Sequence, residues 1–227
     1  NNIVCNADPA TQRGTAYRQY DLFNKMMFKL SDRARLVSNV QYSNSSNIPR
    51  FDQLNDGDGP CSKDTATKIC LTGEELKFHS YYYGPQARFF SSLNFTVFDT
   101  YFEKCNIILG YQNIEESRHK WKLQDFLAFD INTDINSDLD RASQRESVDV
   151  YSVNINLRKG GVFFGSETIY NNVFSTSSSN ENINYIEDTR YPSEGSNLFS
   201  TAFYANIFKR LSHKIQLESG IRYTLSI

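Results

Sequence analysis

The chain has 227 residues, a net charge of −2 and 39% hydrophobic residues, with 14 Tyr and 17 Phe. That length suits one large all-β domain or two small ones, and the charge balance gives no electrostatic case for nucleic acid as a partner. No apolar run approaches the roughly 20 residues of a membrane helix, which leaves open a membrane β-barrel, whose strands give only a weak alternating signal.

The first residues, "NNIVCNADPATQRG", show no initiating Met and no basic-then-apolar leader. Residues 1–16 read as the end of a loop, and "GIRYTLSI" at the other end stops inside a strand, so the expectation is a piece of a longer protein. From residue 17 onward the pattern has period two. "YRQYDLFNKMMFKL" (17–30) is mixed. In 34–44, Leu36, Ser38, Val40 and Tyr42 oppose Val37, Asn39, Gln41 and Ser43. In 85–97, Phe89, Leu93, Phe95 and Val97 oppose Arg88, Ser92, Asn94 and Thr96.

The stretch 103–124 places Cys105, Ile107, Leu109 and Tyr111 on one face, then continues through Glu115, Glu116, Arg118, His119, Lys120 and Lys122 without a Pro. Asn106, on its polar side, is expected to accept Arg far more readily than Ile107 or Leu109. In 145–158, Tyr151, Val153, Ile155 and Leu157 oppose Ser152, Asn154, Asn156 and Arg158. The segment 162–176 has no clear oily face. In 197–209, Phe199, Phe203 and Ile207 align, and in 214–227, Ile215, Leu217, Ile221 and Tyr223 oppose Gln216, Glu218, Arg222 and Thr224.

These eight segments predict an all-β, antiparallel up-and-down meander with no helix. The connections alternate: Ser31–Arg33, Phe98–Phe102, Lys159–Gly161 and Arg210–His213 are short, whereas about 45–84, 125–144 and 177–196 are long and rich in Ser, Asn, Asp and Gly. Short turns at one end and long loops at the other is the asymmetry of an outer-membrane barrel, and a β-sandwich does not need it. A barrel strand crosses lipid in about 9–11 residues, so Lys104 to about Ile114 would span and Glu115 to Asp125 would project outside. Phe98, Tyr101 and Phe102 crowd one short turn, where an interfacial girdle would sit. Gln112, Asn154, Glu218 and Arg222 would face the lumen, because backbone polar groups in hydrocarbon force a closed sheet whose inner side alone meets water.

Five stretches, "NVQYSNSSNIPRFDQLND", "YYYGPQARFFSSL", "NIILGYQNIEESRHKW", "RESVDVYSVNINL" and "DTRYPSEGSNLFSTAFYANIFKRLSHKIQLESGIRYT", resemble the barrel of TonB-dependent outer-membrane receptors, most nearly of the Bacteroidetes type. The resemblance covers the chain from about Tyr17 onward and implies an arc of a 22-stranded transmembrane barrel. It implies a receptor in the outer membrane of a Gram-negative bacterium that imports a scarce nutrient, an iron–siderophore or haem. Its partners would be outer-membrane lipid, the protein's own plug domain and remaining barrel strands, and the TonB complex. The stretches that would form a plug or contact TonB are not found in these residues, so the chain reads as the middle of a barrel.

Candidate ligand contacts lie in two places. Arg50, Phe51 and Asp52 in "IPRFDQLND" either touch a ligand or fix the base of the longest loop, and the second reading is preferred. Tyr81, Tyr82 and Tyr83 in "HSYYYGPQ" either line a vestibule or form an interfacial cluster, again with the second preferred. His79 beside them is either an axial haem ligand or a surface His, and the second is preferred because the FRAP-type and NPNL-type motifs of haem receptors are not in these residues.

"FDINTDINSDLD" (129–140) has alternating acidic oxygens that suit Ca²⁺, but Ile135 or Leu139 stands where a hand-type loop needs Gly. A solvated acidic loop is the reading, with no metal site. His79, His119 and His213 show no ligand spacing. Nucleophile elbow, phosphate loop and convergent carboxylate pair are all missing from the sequence, so no enzymatic activity and no cofactor are expected. Cys61 and Cys70 are expected to form a local disulfide in an exported protein, Cys105 to pack as a small hydrophobe, and Cys5 has no evident partner. The alternative to a receptor is a soluble secreted β-domain that binds a glycan or protein through its Tyr-rich loops.

Overall fold

Alternating sequences of this kind can pair only by presenting one whole face to one environment, and the strands do so. The computed structural model describes residues 14–54, 77–122, 142–178, 189–192 and 194–227. In chain order they form β1 (Gln19–Lys29), β2 (Ala34–Ser45), β3 (Ile48–Pro49), α1 (Phe51–Leu54), β4 (Phe78–Tyr83), β5 (Ala87–Phe98), β6 (Lys104–Lys122), β7 (Ala142–Lys159), β8 (Val162–Ser178), β9 (Ser196–Arg210) and β10 (Gln216–Ser226). The main path β1-β2-β5-β6-β7-β8-β9-β10 is antiparallel throughout, and β1 and β10 do not meet, so the sheet is open. The eight expected strands are those of this path. The structure adds β3, β4 and the single helical turn α1 within the long connection 45–84.

The unusual element is β6. Its first part, Lys104–Glu115, pairs with β5, and its last part, Arg118–Lys122, pairs with β4. Both parts pair with β7 in one unbroken register from Lys104↔Arg158 to Lys120↔Ala142. So β4 continues the lane of β5 beyond the break at Gly84–Gln86, and the charged extension of β6 stays in a ladder on both sides. Gly84 is needed at that break because a Cβ there would lie 2.0 Å from Ser117 Oγ.

The short connections tie at one end. Between β7 and β8 the two residues Gly160 (φ 58°) and Gly161 (φ 78°) both take positive φ, which is the two-residue hairpin geometry that matches strand twist. The turn between β5 and β6 uses Asp99 at φ 51°, a conformation that Asp tolerates better than most residues.

The register settles which residues share a face. One face carries Leu36, Phe95, Ile107, Ile155, Ser166, Phe203 and Tyr223 in a single row across seven strands. The neighbouring row runs Ser38, Leu93, Leu109, Val153, Thr168, Thr201 and Leu225. Nothing covers this face among the described residues: Leu109 is 47% exposed and Phe203 58%. The only buried apolar residues described are Phe78 and Ala202, whereas Ser45, Ser92, Thr96, Asn106, Glu146, Ser175 and Ser177 are buried polar ones. A soluble domain of this size buries its aliphatic side chains, and here the order is reversed.

Aromatic rings edge the aliphatic field on both sides. Toward the long loops, Tyr111, Tyr151, Tyr170 and Phe199 stand in direct register on β6 to β9. Tyr42 pairs with Phe89, whose ring centroid is 6.1 Å from that of Tyr111. Toward the short turns, Phe102 packs edge-on against Phe164 at 5.7 Å and Tyr101 against Phe102 at 5.0 Å. Phe98 leaves this group, pairing with Lys104 on the opposite face under the Arg35 guanidinium. The path from Phe102 to Tyr111 is about 30 Å at strand rise. Directly beyond the Tyr row the same face becomes Asn113, Asp149, Asn172 and Asn197.

Candidate functional site

The other face of the sheet is a hydrogen-bonded belt. Asn39 Nδ2 donates to Ser92 Oγ at 3.0 Å. Asn106 Nδ2 donates to Thr96 Oγ1 at 2.9 Å and to Asn94 Oδ1. Tyr204 Oη donates to Asn156 Oδ1, and Arg222 Nη2 bonds Glu167 Oε2 at 2.7 Å. Gly165 lets the Tyr204 ring lie flat across β8, since a Cβ there would be 2.7 Å from the Tyr204 hydroxyl and 2.1 Å from the Ile155 carbonyl oxygen. The belt pairs these amides and hydroxyls across strands, whereas Glu146 Oε1, Ser175 Oγ and Ser177 Oγ, buried on the same face nearer the long loops, have no hydrogen-bond partner among the described residues.

The expectation that Asn106 tolerates a large cation is therefore corrected. Asn106 is only 8% exposed and holds three strands together through its amide. Asn154 is the open position on this face. With Glu167, Tyr204, Asn206 and Arg222 it lines a hollow of ≈ 440 Å³.

Gln112, Asn154, Glu218 and Arg222 all lie on this face by register. Gln112 accepts from Arg88 Nε at 2.9 Å, Arg222 pairs with Glu167, and Glu218 stands opposite Phe208 at the exposed edge of β10.

At the long-loop end the candidate contacts divide between the two faces. β3 pairs with β4 through Ile48↔Tyr83 and Pro49↔Tyr82, and the Arg50 N–H donates to the Tyr81 carbonyl at 2.9 Å. Pro49 fits because it sits on a two-residue edge strand. Arg50 then grips Asp52 in two bonds, Nε to Oδ1 at 2.9 Å and Nη2 to Oδ2 at 2.7 Å. Its Nη1 donates to the Tyr83 hydroxyl, with the guanidinium carbon 5.0 Å from the ring centroid. The Arg50 bond, helped by Gln53, holds the Asp52 carboxyl well below the usual carboxylate range. The same bond raises the guanidinium above its ordinary value. Phe51, beside them on α1, is exposed.

Tyr81 and Tyr83 pair with Lys120 and Arg118, and so join the belt face. Tyr82 points the other way and stacks on His119, with centroids 4.8 Å apart and planes at 15°. His79 falls at a register shift between Phe78 and Ser80 and meets the Trp121 ring edge-on at 5.2 Å. Three consecutive Tyr on a strand cannot line one vestibule. Thus Arg50, Asp52, Tyr81 and Tyr83 come together, while Tyr82 and His79 do not join them.

The belt residues Asn94, Thr96, Asn106, Asn156, Glu167 and Tyr204 were not singled out as site residues from sequence. Alternation assigns several of them to the polar side, yet their partners follow only from register. Cys105 is a free thiol on the aliphatic face. Cys61, Cys70 and the acidic stretch 129–140 lie outside the described residues.

Compared with known proteins, the chain matches no family model, no curated protein and no solved structure.

Proposed function

We propose that this chain is a run of strands from the barrel of an outer-membrane receptor of the TonB-dependent kind, importing a scarce nutrient such as an iron chelate or haem. The observation that supports it is the reversed burial: aliphatic rows exposed on one face between two lines of aromatic rings, and a hydrogen-bonded polar belt on the other. Such a sheet is satisfied by lipid outside and water or a plug inside. The edges of β1 and β10 supply unpaired backbone groups for the remaining barrel strands. Ser117 Oγ lies 3.0 Å from His119 Nε2 on the charged extension of β6, but the reading rests on the exposed aliphatic rows, and the work it assigns is binding and passage. The choice of an iron source rests on the sequence resemblance; the Arg50 guanidinium is already taken by Asp52 and Tyr83, as the loop-base reading expects.

Uptake is the test. Cells lacking the protein should fail to accumulate radiolabelled ferric chelate or haem at limiting concentration, and a protonophore should abolish uptake in the parent. Unchanged, protonophore-insensitive uptake of both would refute the nutrient assignment. The competing reading, a secreted glycan- or protein-binding domain, draws on the clustered Tyr side chains of β4. Recovery of the protein in the soluble exported fraction without detergent would favour it.

A further inference from the structure

Charge is unevenly distributed along the strand axis. The four short-turn spans, residues 29–35, 98–104, 158–163 and 209–215, hold nine Lys or Arg and three Asp or Glu, a net of +6 in a chain whose total is −2. All four spans lie at one end of the meander. Two of the three carboxylates are already taken: Asp32 by Lys29 at 2.6 Å and Glu103 by Arg158 at 3.1 Å. The other seven cations make no ion pair with a carboxylate among the described residues. Two of them lie against rings instead. Lys159 Nζ is 3.4 Å from the Tyr101 centroid, and the Arg35 guanidinium carbon is 4.7 Å from that of Phe98. Tyr101 itself is 75% exposed.

We propose that this rim is a docking surface for anionic phospholipid headgroups of the leaflet that meets the short turns. The inference rests on the barrel reading above and adds the chemistry of one leaflet. The outward aliphatic field ends at Phe102 and Phe164, and the cations begin within a residue or two of that line, at headgroup depth. Some point inward by register, such as Lys104 and Arg158, and others outward, such as Lys159 and Lys209. Fixed charge of either orientation acts over a Debye length of about 8 Å, so both contribute to the potential felt by the first lipid shell. An exposed Tyr and a ring-backed Lys are the pair of side chains that settle where hydrocarbon gives way to charged headgroups. The complementary partner is a diester phosphate with no compensating choline.

Spin-labelled lipids around the full-length protein in phosphatidylcholine bilayers test the proposal. The motionally restricted fraction of labelled phosphatidylglycerol, compared with labelled phosphatidylcholine, should show a preference of about threefold. It should fall to about one in 1 M salt, where screening shortens to about 3 Å, and in the combined variant Lys159→Gln, Lys209→Gln, Arg210→Gln, Lys214→Gln. The number of restricted phosphatidylcholine molecules should be unchanged in that variant, which shows that it remains folded and seated. Equal restriction of the two lipids around the parent protein overturns the proposal while leaving the barrel intact. No restricted component with either lipid overturns the barrel reading and this inference together.

Discussion

Replacing Ile107 with Arg sets the two environments of the sheet against each other. Ile107 stands in register between Phe95 and Ile155. It lies about 13 Å along the strand from Tyr111, and so about 10 Å below the upper aromatic row at a tilt of about 40°. In an apolar band about 25 Å tall that is near the midplane, where an Arg costs about 2–4 kcal/mol. Asn154 is nearly level with it on the opposite face, paired with Glu167 and opening on the hollow. Arg there stands in water and would share the Glu167 carboxylate with Arg222, so it should stay within about 1 kcal/mol of the parent. Reversible urea unfolding of the full-length protein from phospholipid vesicles reads both numbers. Losses equal on the two faces, or an Ile107→Arg effect within about 0.5 kcal/mol as at an ordinary water-exposed position, would refute the assignment of the aliphatic face to lipid.

In the β7–β8 hairpin, Gly161→Ala places a Cβ 2.7 Å from the Phe208 carbonyl at a φ of 78° and should cost about 1–2 kcal/mol. Gly160→Asn has open space and a residue type suited to positive φ, so it should stay within about 0.5 kcal/mol; the same urea titration separates them, and equal losses would contradict the turn. Gly165→Ala meets the Ile155 backbone and the Tyr204 ring and should lose about 1–3 kcal/mol, with no loss counting against the ring lying across that glycine. Asp52 has a depressed folded-state pKa, so its contribution is present above the unfolded value of about 3.9 and is lost only as pH falls through the lower folded value. Hydrogen exchange at the Arg50 amide, corrected for intrinsic rate, should keep its protection from pH 5 down to about pH 3, and loss of protection already near pH 4 would contradict the paired geometry. Peptide mapping of exported protein without reductant should find Cys61 linked to Cys70, and two freely alkylated thiols would remove that disulfide.

The long strands were legible because their alternation is regular and nothing interrupts it. β6 is the clearest case: from Lys104 to Lys122 it has no Pro and one Gly, and the structure keeps all 19 residues in one strand. Face assignment followed from the same parity, so Ile107, Val153 and Tyr223 were grouped with the oily side before any neighbour was known. β8 could not be sorted by sequence. Its aliphatic-side positions include Ser166 and Thr168, while Phe163 and Ile169 fall on the belt side, and only pairing with β7 decides between them.

The long-loop end was misjudged in detail for a different reason. β3 has two residues, one of them Pro49, and α1 has four, too short for any periodic signal. The Tyr81–Tyr83 run before Gly84 read as loop, yet backbone partners on β6 make it a strand and divide its rings between two faces. Asn106 shows the same limit at a single residue. Parity gave its side of the sheet, but its burial comes from three neighbours far away in sequence.

Spin labels introduced singly from Tyr151 to Arg158 on β7 test the central claim most directly, with oxygen reporting lipid contact and a nickel chelate reporting water. The account predicts a period of two: 151, 153, 155 and 157 accessible to oxygen, and 152, 154, 156 and 158 shielded from it, with the chelate reaching 154. Odd positions shut off from both reagents would mean that a second layer packs on the aliphatic rows, and odd positions open to the chelate would mean that they face water. Either result would contradict it.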